Sequence, residues 1–199
     1  MPYSAAGKNL MLDALKGTNP TVPITHAALF DEDPAIAAVT GTASSDVFAK
    51  TAHGLSNGNL VVLRSLSGGA GLTEEIPYFV ITANANDFQL SRVASGSAIN
   101  FTSDVTTVSV VRLVELTGGS PAYARKSIAF NTPVDGAMDD STNGAVFDVP
   151  ACTVNYVGFY SAVSAGTLLG IDPVTAEVFA AQGTYTVTDA DLDLNTGGF

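Results

Sequence analysis

Tryptophan is absent from the 199 residues, and cysteine occurs once, at Cys152. One thiol makes no internal disulfide, so the fold must rest on its core, and the usage agrees with synthesis in a reducing compartment. Basic residues are scarce: eight Lys and Arg stand against nineteen Asp and Glu, for a net charge of -11. That balance disfavours a nucleic-acid groove or an anionic membrane surface, since both reward clustered cations, and leaves neutral, basic or cation-bridged partners. Long apolar runs are missing too. No stretch approaches the ~18 residues of a membrane span. Lys8, Asn9 and Asp13 interrupt the first fifteen residues where a secretory signal would be uniformly apolar. The expectation is therefore a chain made soluble in a cytoplasm. HExxH and CxxC patterns do not occur.

What is present is β-forming. Hydrophobic residues make up 46% of the chain, enough for a packed core, and they fall in short runs rich in Val, Thr, Ala and Gly. One amphipathic helix is expected at 5–16, capped by Ser4 and stopped by Gly17 and Pro20. Residues 24–30 read as a strand, and Asp31, Glu32, Asp33 and Pro34 as an acidic turn. From Gly41 the composition changes, and residues 41–113 read as about five short strands separated by turn signals. Further strands are expected at 146–150, 153–160, 167–171 and 184–188. The fold class is mostly β: a β-sandwich from residues 1–40 and 114–199 with one short N-terminal helix, and an inserted small β-barrel at 41–113.

Residues 115–130, ELTGGSPAYARKSIAF, set a Gly-Gly-Ser-Pro turn before an alternating segment. That predicts a strand start with Tyr123, Arg125 and Ser127 on one side and Lys126, Ile128 and Phe130 on the other. Two of the few basic residues fall here, which predicts a locally positive strip. Arg125 is expected to pair with an acidic turn of its own chain or with a carboxylate of a neighbouring subunit.

The candidates for chemistry are few. His53 precedes Ser56 in HGLSNG, but no carboxylate stands at a fixed spacing to orient it, so nucleophilic catalysis is not expected. His26 in an apolar strand reads as a residue bonded to backbone, and as a metal ligand it would lack clustered partners. The loop Gly68-Gly69-Ala70-Gly71 lacks the Lys-Ser/Thr of a phosphate cradle and reads as a flexible hairpin tip. Asp189, Asp191 and Asp193 alternate, so in a strand they share one face, read as solvated, with a bound cation as the alternative. Asp31, Glu32 and Asp33, and Asp139 with Asp140, invite the same argument at weaker spacing. Asn100-Phe101-Thr102 is a glycosylation sequon by pattern only. No catalytic, cofactor or metal residue is assigned.

Four pieces carry a resemblance: LFDEDP at 29–34, GGSPAYARKSIAF at 118–130, FDVP at 147–150, and VGFYSA with the following Gly and Leu-Leu at 157–169. Together they are similar to a family of small tailed-bacteriophage virion proteins described as tail-fibre or minor tail proteins. Within 41–113, the order His-Gly-Leu, Val-Val, Tyr-Phe-Val and Phe-x-Leu resembles a small β module of phage tail proteins. It also resembles the half-domain beside the catalytic cysteine of ubiquitin-activating enzymes, but it carries no cysteine, so no thioester chemistry follows. In that family the leader runs almost directly into the Gly-Gly-Ser turn, which makes 41–113 an outward-projecting insertion. The resemblance implies a structural, non-enzymatic protein without cofactors on the virion exterior, of tail-fibre or minor tail type. The alternative is a head decoration protein; a polysaccharide-degrading enzyme or a calcium-dependent adhesin ranks behind both. Implied partners are other virion proteins and a host-surface glycan or protein, with homo-oligomers, most simply trimers.

Overall fold

Short apolar runs broken by glycine and asparagine turns fold as strands throughout the described part of the chain. The computed structural model describes residues 23–132 and 144–188, and the backbone of two short strands at 137–138 and 192–193. The helix expected at 5–16, the side chains of Asp139, Asp140, Asp189, Asp191 and Asp193, and with them the proposed acidic face, lie outside the described residues. Among the described residues every regular element is a strand. The chain divides into two units, one drawn from 1–31 and 115–199 and the other from 32–114.

The second unit is a closed barrel. Its strands are β2 (Ile36–Thr42), β3 (Val47–Ala49), β4 (Leu60–Gly68), β5 (Tyr78–Ile81), β6 (Asp87–Ser91) and β7 (Val105–Glu115). Each pairs antiparallel with two neighbours in the ring β2-β3-β6-β5-β4-β7, and β7 closes back on β2. Closure removes every sheet edge. Alternating residues fill the interior: Val39, Phe48, Val61, Leu63, Tyr78, Val80, Phe88, Leu90, Val108 and Val110 form one buried cluster. Irregularities in β2 and β4 let the strands coil around β7. The ladder shifts between Ile36 and Val39 and between Arg64 and Ser67, where Ala38 and Ser65 each have φ 54°. β2 lies in this unit, N-terminal of Gly41, where the change of composition had set the boundary. Its place between β3 and β7 is what closes the ring.

The glycine-rich loop is a close approach and not an open tip. A Cβ on Gly68, at φ +85°, would lie 2.1 Å from the Asp104 carbonyl oxygen, and Gly69 is buried against Val105 and Leu72.

The first unit has an antiparallel sheet in the order β8-β1-β11-β12, with β1 at His26–Glu32, β8 at Lys126–Ser127, β11 at Cys152–Tyr160 and β12 at Leu168–Phe179. Asp31 and Glu32, expected in a turn, continue β1 instead. A two-stranded ribbon pairs β10 (Ala145–Val149) with β13 (Gly183–Val187), and the backbone strands β9 (Ala137–Met138) and β14 (Leu192–Asp193) pair with each other. Sheet and ribbon share one core of Ala27, Leu29, Ile128, Phe147, Val149, Val154, Val157, Phe159 and Val187. A bulge between Val154 and Tyr156 explains why Val154 reaches this core from an even position and Val157 and Phe159 from odd ones.

Candidate functional site

The segment 115–130 carries a polar network that ties it to β1 and to its own turn. Only Lys126 and Ser127 pair as a strand, so the expected strand from Tyr123 onward is mostly loop. The reason lies in what its side chains do. The Leu29 amide of β1 donates to the Tyr123 hydroxyl (2.8 Å), while the Leu29 carbonyl accepts from the Leu116 amide (3.0 Å). A phenol thus takes the place of a ladder partner beside a fully buried residue, and the loop must leave strand geometry to put it there. The Tyr123 ring also stacks on Phe147, with centroids 6.0 Å apart.

Arg125 turns inward with it. Its Nε and Nη2 donate to the two carboxylate oxygens of Glu115 (2.7 Å each), Nη1 donates to the Ala162 carbonyl (3.2 Å), and the guanidinium lies 3.4 Å from the centre of the Tyr160 ring. A two-pronged ion pair stacked on an aromatic face uses the planar fork that lysine lacks. Only 12% of the Arg125 side chain is exposed, and Lys126 stands 3.7 Å from Asp148. The expected positive strip is therefore neutralised within the chain. Gln182 fastens the turn itself: its Oε1 accepts from the Ser120 amide (3.0 Å) and its Nε2 donates to the Pro121 carbonyl (3.2 Å).

The electrostatics follow from this packing. Burial, reinforced by the Glu115 charge, pushes the Tyr160 phenol up to about 12. Burial likewise raises Tyr123 well above the ordinary phenol range, and the hydrogen bond to Glu115 raises Arg125. These groups are held in single protonation states across the physiological range. The arrangement fastens a loop to a strand.

The other candidates are scattered. His53 is buried in the barrel, where its Nδ1 accepts from the Leu55 amide (2.9 Å) and its ring meets Phe88 edge-on at 5.0 Å. Its Nε2 has no hydrogen-bond partner. An Nδ1 that accepts must be unprotonated, so the ring supports its turn, while the Ser56 amide is occupied by Asn59 (2.9 Å). His26 Nδ1 lies 2.8 Å from the Thr25 hydroxyl. The carboxylates of 31–33 diverge: Asp31 accepts from the Thr153 amide (3.0 Å), Glu32 takes two bonds from Arg64 (2.9 and 2.6 Å), and Asp33 pairs with Arg112. Cys152 is half-buried, and burial followed by the Asp31 charge raises its thiol, which is the reverse of nucleophile activation. Among the described residues no three His, Cys, Asp or Glu side chains group as a metal site.

No protein-family model, curated protein or solved structure matches the chain. The site is thus described by its geometry alone. Sequence reasoning singled out Arg125 and missed Glu115 and Tyr160 as its partners. Glu115, ten residues away across a glycine turn, carries a local signal; Tyr160 carries none. No described helix is long and apolar enough to cross a membrane.

Proposed function

We propose that this chain is a structural protein of a tailed-bacteriophage virion, exposed on the tail as a fibre or minor tail component and acting in several copies. One observation carries the reading. The pieces that bear the resemblance use their reactive-looking groups to pin the fold: Asp31 on Thr153, Glu32 on Arg64, Asp33 on Arg112, and Arg125 on Glu115. Such groups serve rigidity, as suits a part whose contribution comes from shape and copy number, with binding supplied by avidity. In this reading the first unit is a β-sandwich carrying a short N-terminal helix at 5–16, and the barrel presents loops toward the host surface or a neighbouring virion protein. The net charge of -11 suits neutral or basic partners.

A second reading, head decoration, is favoured by the absence from the sequence of the heptads or repeated strands of a long fibre shaft. Electron microscopy and quantitative mass spectrometry of purified particles test both. A tail component is expected at a few to dozens of copies at the tail, and a decoration protein at hundreds over the head. Particles that lack the protein, or a substrate turned over by the isolated chain, would sink the proposal.

A further inference from the structure

We propose that Asn57, in the HGLSNG turn, is a latent modification site whose conversion to aspartate or isoaspartate is held off by the fold and released when the 56–59 turn opens. The chemistry follows from the dipeptide Asn57-Gly58. Glycine has no Cβ to obstruct its own nitrogen, so that nitrogen reaches the preceding side-chain carbonyl more readily than any other residue's would. Solvent hydroxide takes the proton of the Gly58 amide, the nitrogen attacks Asn57 Cγ, and a C–N bond forms as the side-chain amide leaves as ammonia. Water then opens the cyclic imide at one carbonyl or the other, which leaves aspartate or isoaspartate at position 57. Ser56, Asn57 and Gly58 are all exposed, so hydroxide and water have access.

The fold opposes the first of these steps at each reacting group. The attacking nitrogen is engaged: the Gly58 amide donates to the Val80 carbonyl (2.8 Å). The electrophile is clamped elsewhere, because Asn57 Oδ1 accepts from the Ala83 amide (2.7 Å). The backbone between them points the wrong way. The Asn59 amide donates to the Ser56 carbonyl (3.0 Å), and of the two central residues only Gly58 has a positive φ, +88°. That is a type II turn, which sets the Asn57 ψ at roughly +120°. Ring closure requires the Gly58 nitrogen to swing round until it eclipses the Asn57 Cβ, and that rotation breaks its bond to Val80. Asn59 locks the turn further, since its Oδ1 accepts from the Ser56 amide (2.9 Å).

The product would make an opening permanent. Isoaspartate adds one carbon to the backbone and puts the Gly58 amide out of register with Val80. The next contact along the chain, from the Val80 amide to the Asn59 carbonyl (2.9 Å), immediately precedes the Leu60 and Phe79 pair where β4 meets β5. A turn modified in this way cannot close onto the barrel as before.

The test holds the full-length chain at mildly alkaline pH, native or unfolded in concentrated guanidinium chloride, and follows deamidation at position 57 by peptide mass spectrometry. Asn143-Gly144 is the same dipeptide, and in denaturant the two are expected to react at similar rates. In the native chain position 57 should react more slowly than in denaturant by on the order of tenfold or more, because two hydrogen bonds must open first. Asn59→Ala removes the acceptor of the Ser56 amide and leaves the reacting groups in place. It should raise the native rate at position 57 severalfold, together with hydrogen exchange of the Gly58 amide, and leave the rate in denaturant as in the parent. A native rate equal to or above the rate in denaturant overturns the proposal, and so does a folded Asn59→Ala chain that reacts no faster at position 57. The native and unfolded rates of the unsubstituted chain decide the matter even if the variant fails to fold.

Discussion

Arg125 holds three things at once: the Glu115 carboxylate, the Ala162 carbonyl and the face of Tyr160. Arg125→Lys keeps the charge but loses the fork and the flat contact. It is expected to cost about 2 kcal/mol of stability in urea unfolding, as for a partly buried, charge-assisted pair. Combined with Glu115→Gln it should cost clearly less than the sum of the two single changes, because both remove the same interaction. Tyr160 sets an alkaline limit. Its folded value, about 12, lies above the ~10 of an unfolded phenol. The stability it contributes is thus complete below pH ~10 and is lost as the pH rises through about 12. Tyrosinate absorbance from Tyr160 should appear together with unfolding, and Tyr160→Phe should move the alkaline unfolding midpoint upward.

Within the barrel, close backbone approach is a feature of the element and not of any one contact. Gly68 ends β4 against the turn that starts β7, and a Cβ there would meet the Asp104 carbonyl at 2.1 Å. Gly68→Ala is expected to destabilise the barrel by more than about 2 kcal/mol, combining steric overlap with a left-handed backbone, in denaturant unfolding followed in the 32–114 unit. In the first unit the element at risk is β12. Among the described residues its 174–179 stretch pairs only with β11, and Val178 is 75% exposed beside that edge. Pro173 removes one donor and Glu177 adds a charge, two devices that discourage a further strand. Glu177→Val removes the charge from an otherwise uncharged run, so light scattering at neutral pH should report self-association in the variant and not in the parent chain.

The net charge of the whole molecule is strongly negative. The described arginines are occupied internally: Arg64 by Glu32 and Glu75, Arg92 over the Tyr78 ring, Arg112 by Asp33 and Arg125 by Glu115. A net charge of -11 and an isoelectric point near 4.2 then predict that solubility falls to its minimum around pH 4.2 and recovers above it, read as turbidity against pH. They also predict that a basic partner would be bound more slowly as salt rises, because steering by the field is screened.

How much of this was legible in the chain follows from how far apart the interacting groups are. Alternation and turn residues are local properties, so composition sufficed to read a mostly β protein with a small barrel roughly where 32–114 lies, and a lone Cys152 sufficed to exclude an internal disulfide. Partner choice is not local. Tyr123 meets Leu29 across 94 residues, Asp33 meets Arg112 across 79, and Asp31 meets Thr153 across 122. Only closure of the ring drew β2 into the barrel, and only the unfilled ladder position at Leu29 drew Tyr123 and Arg125 out of a strand and into the interior. Side-chain pattern decides which residues extend; the burial and hydrogen-bonding demands of distant strands decide which of them meet.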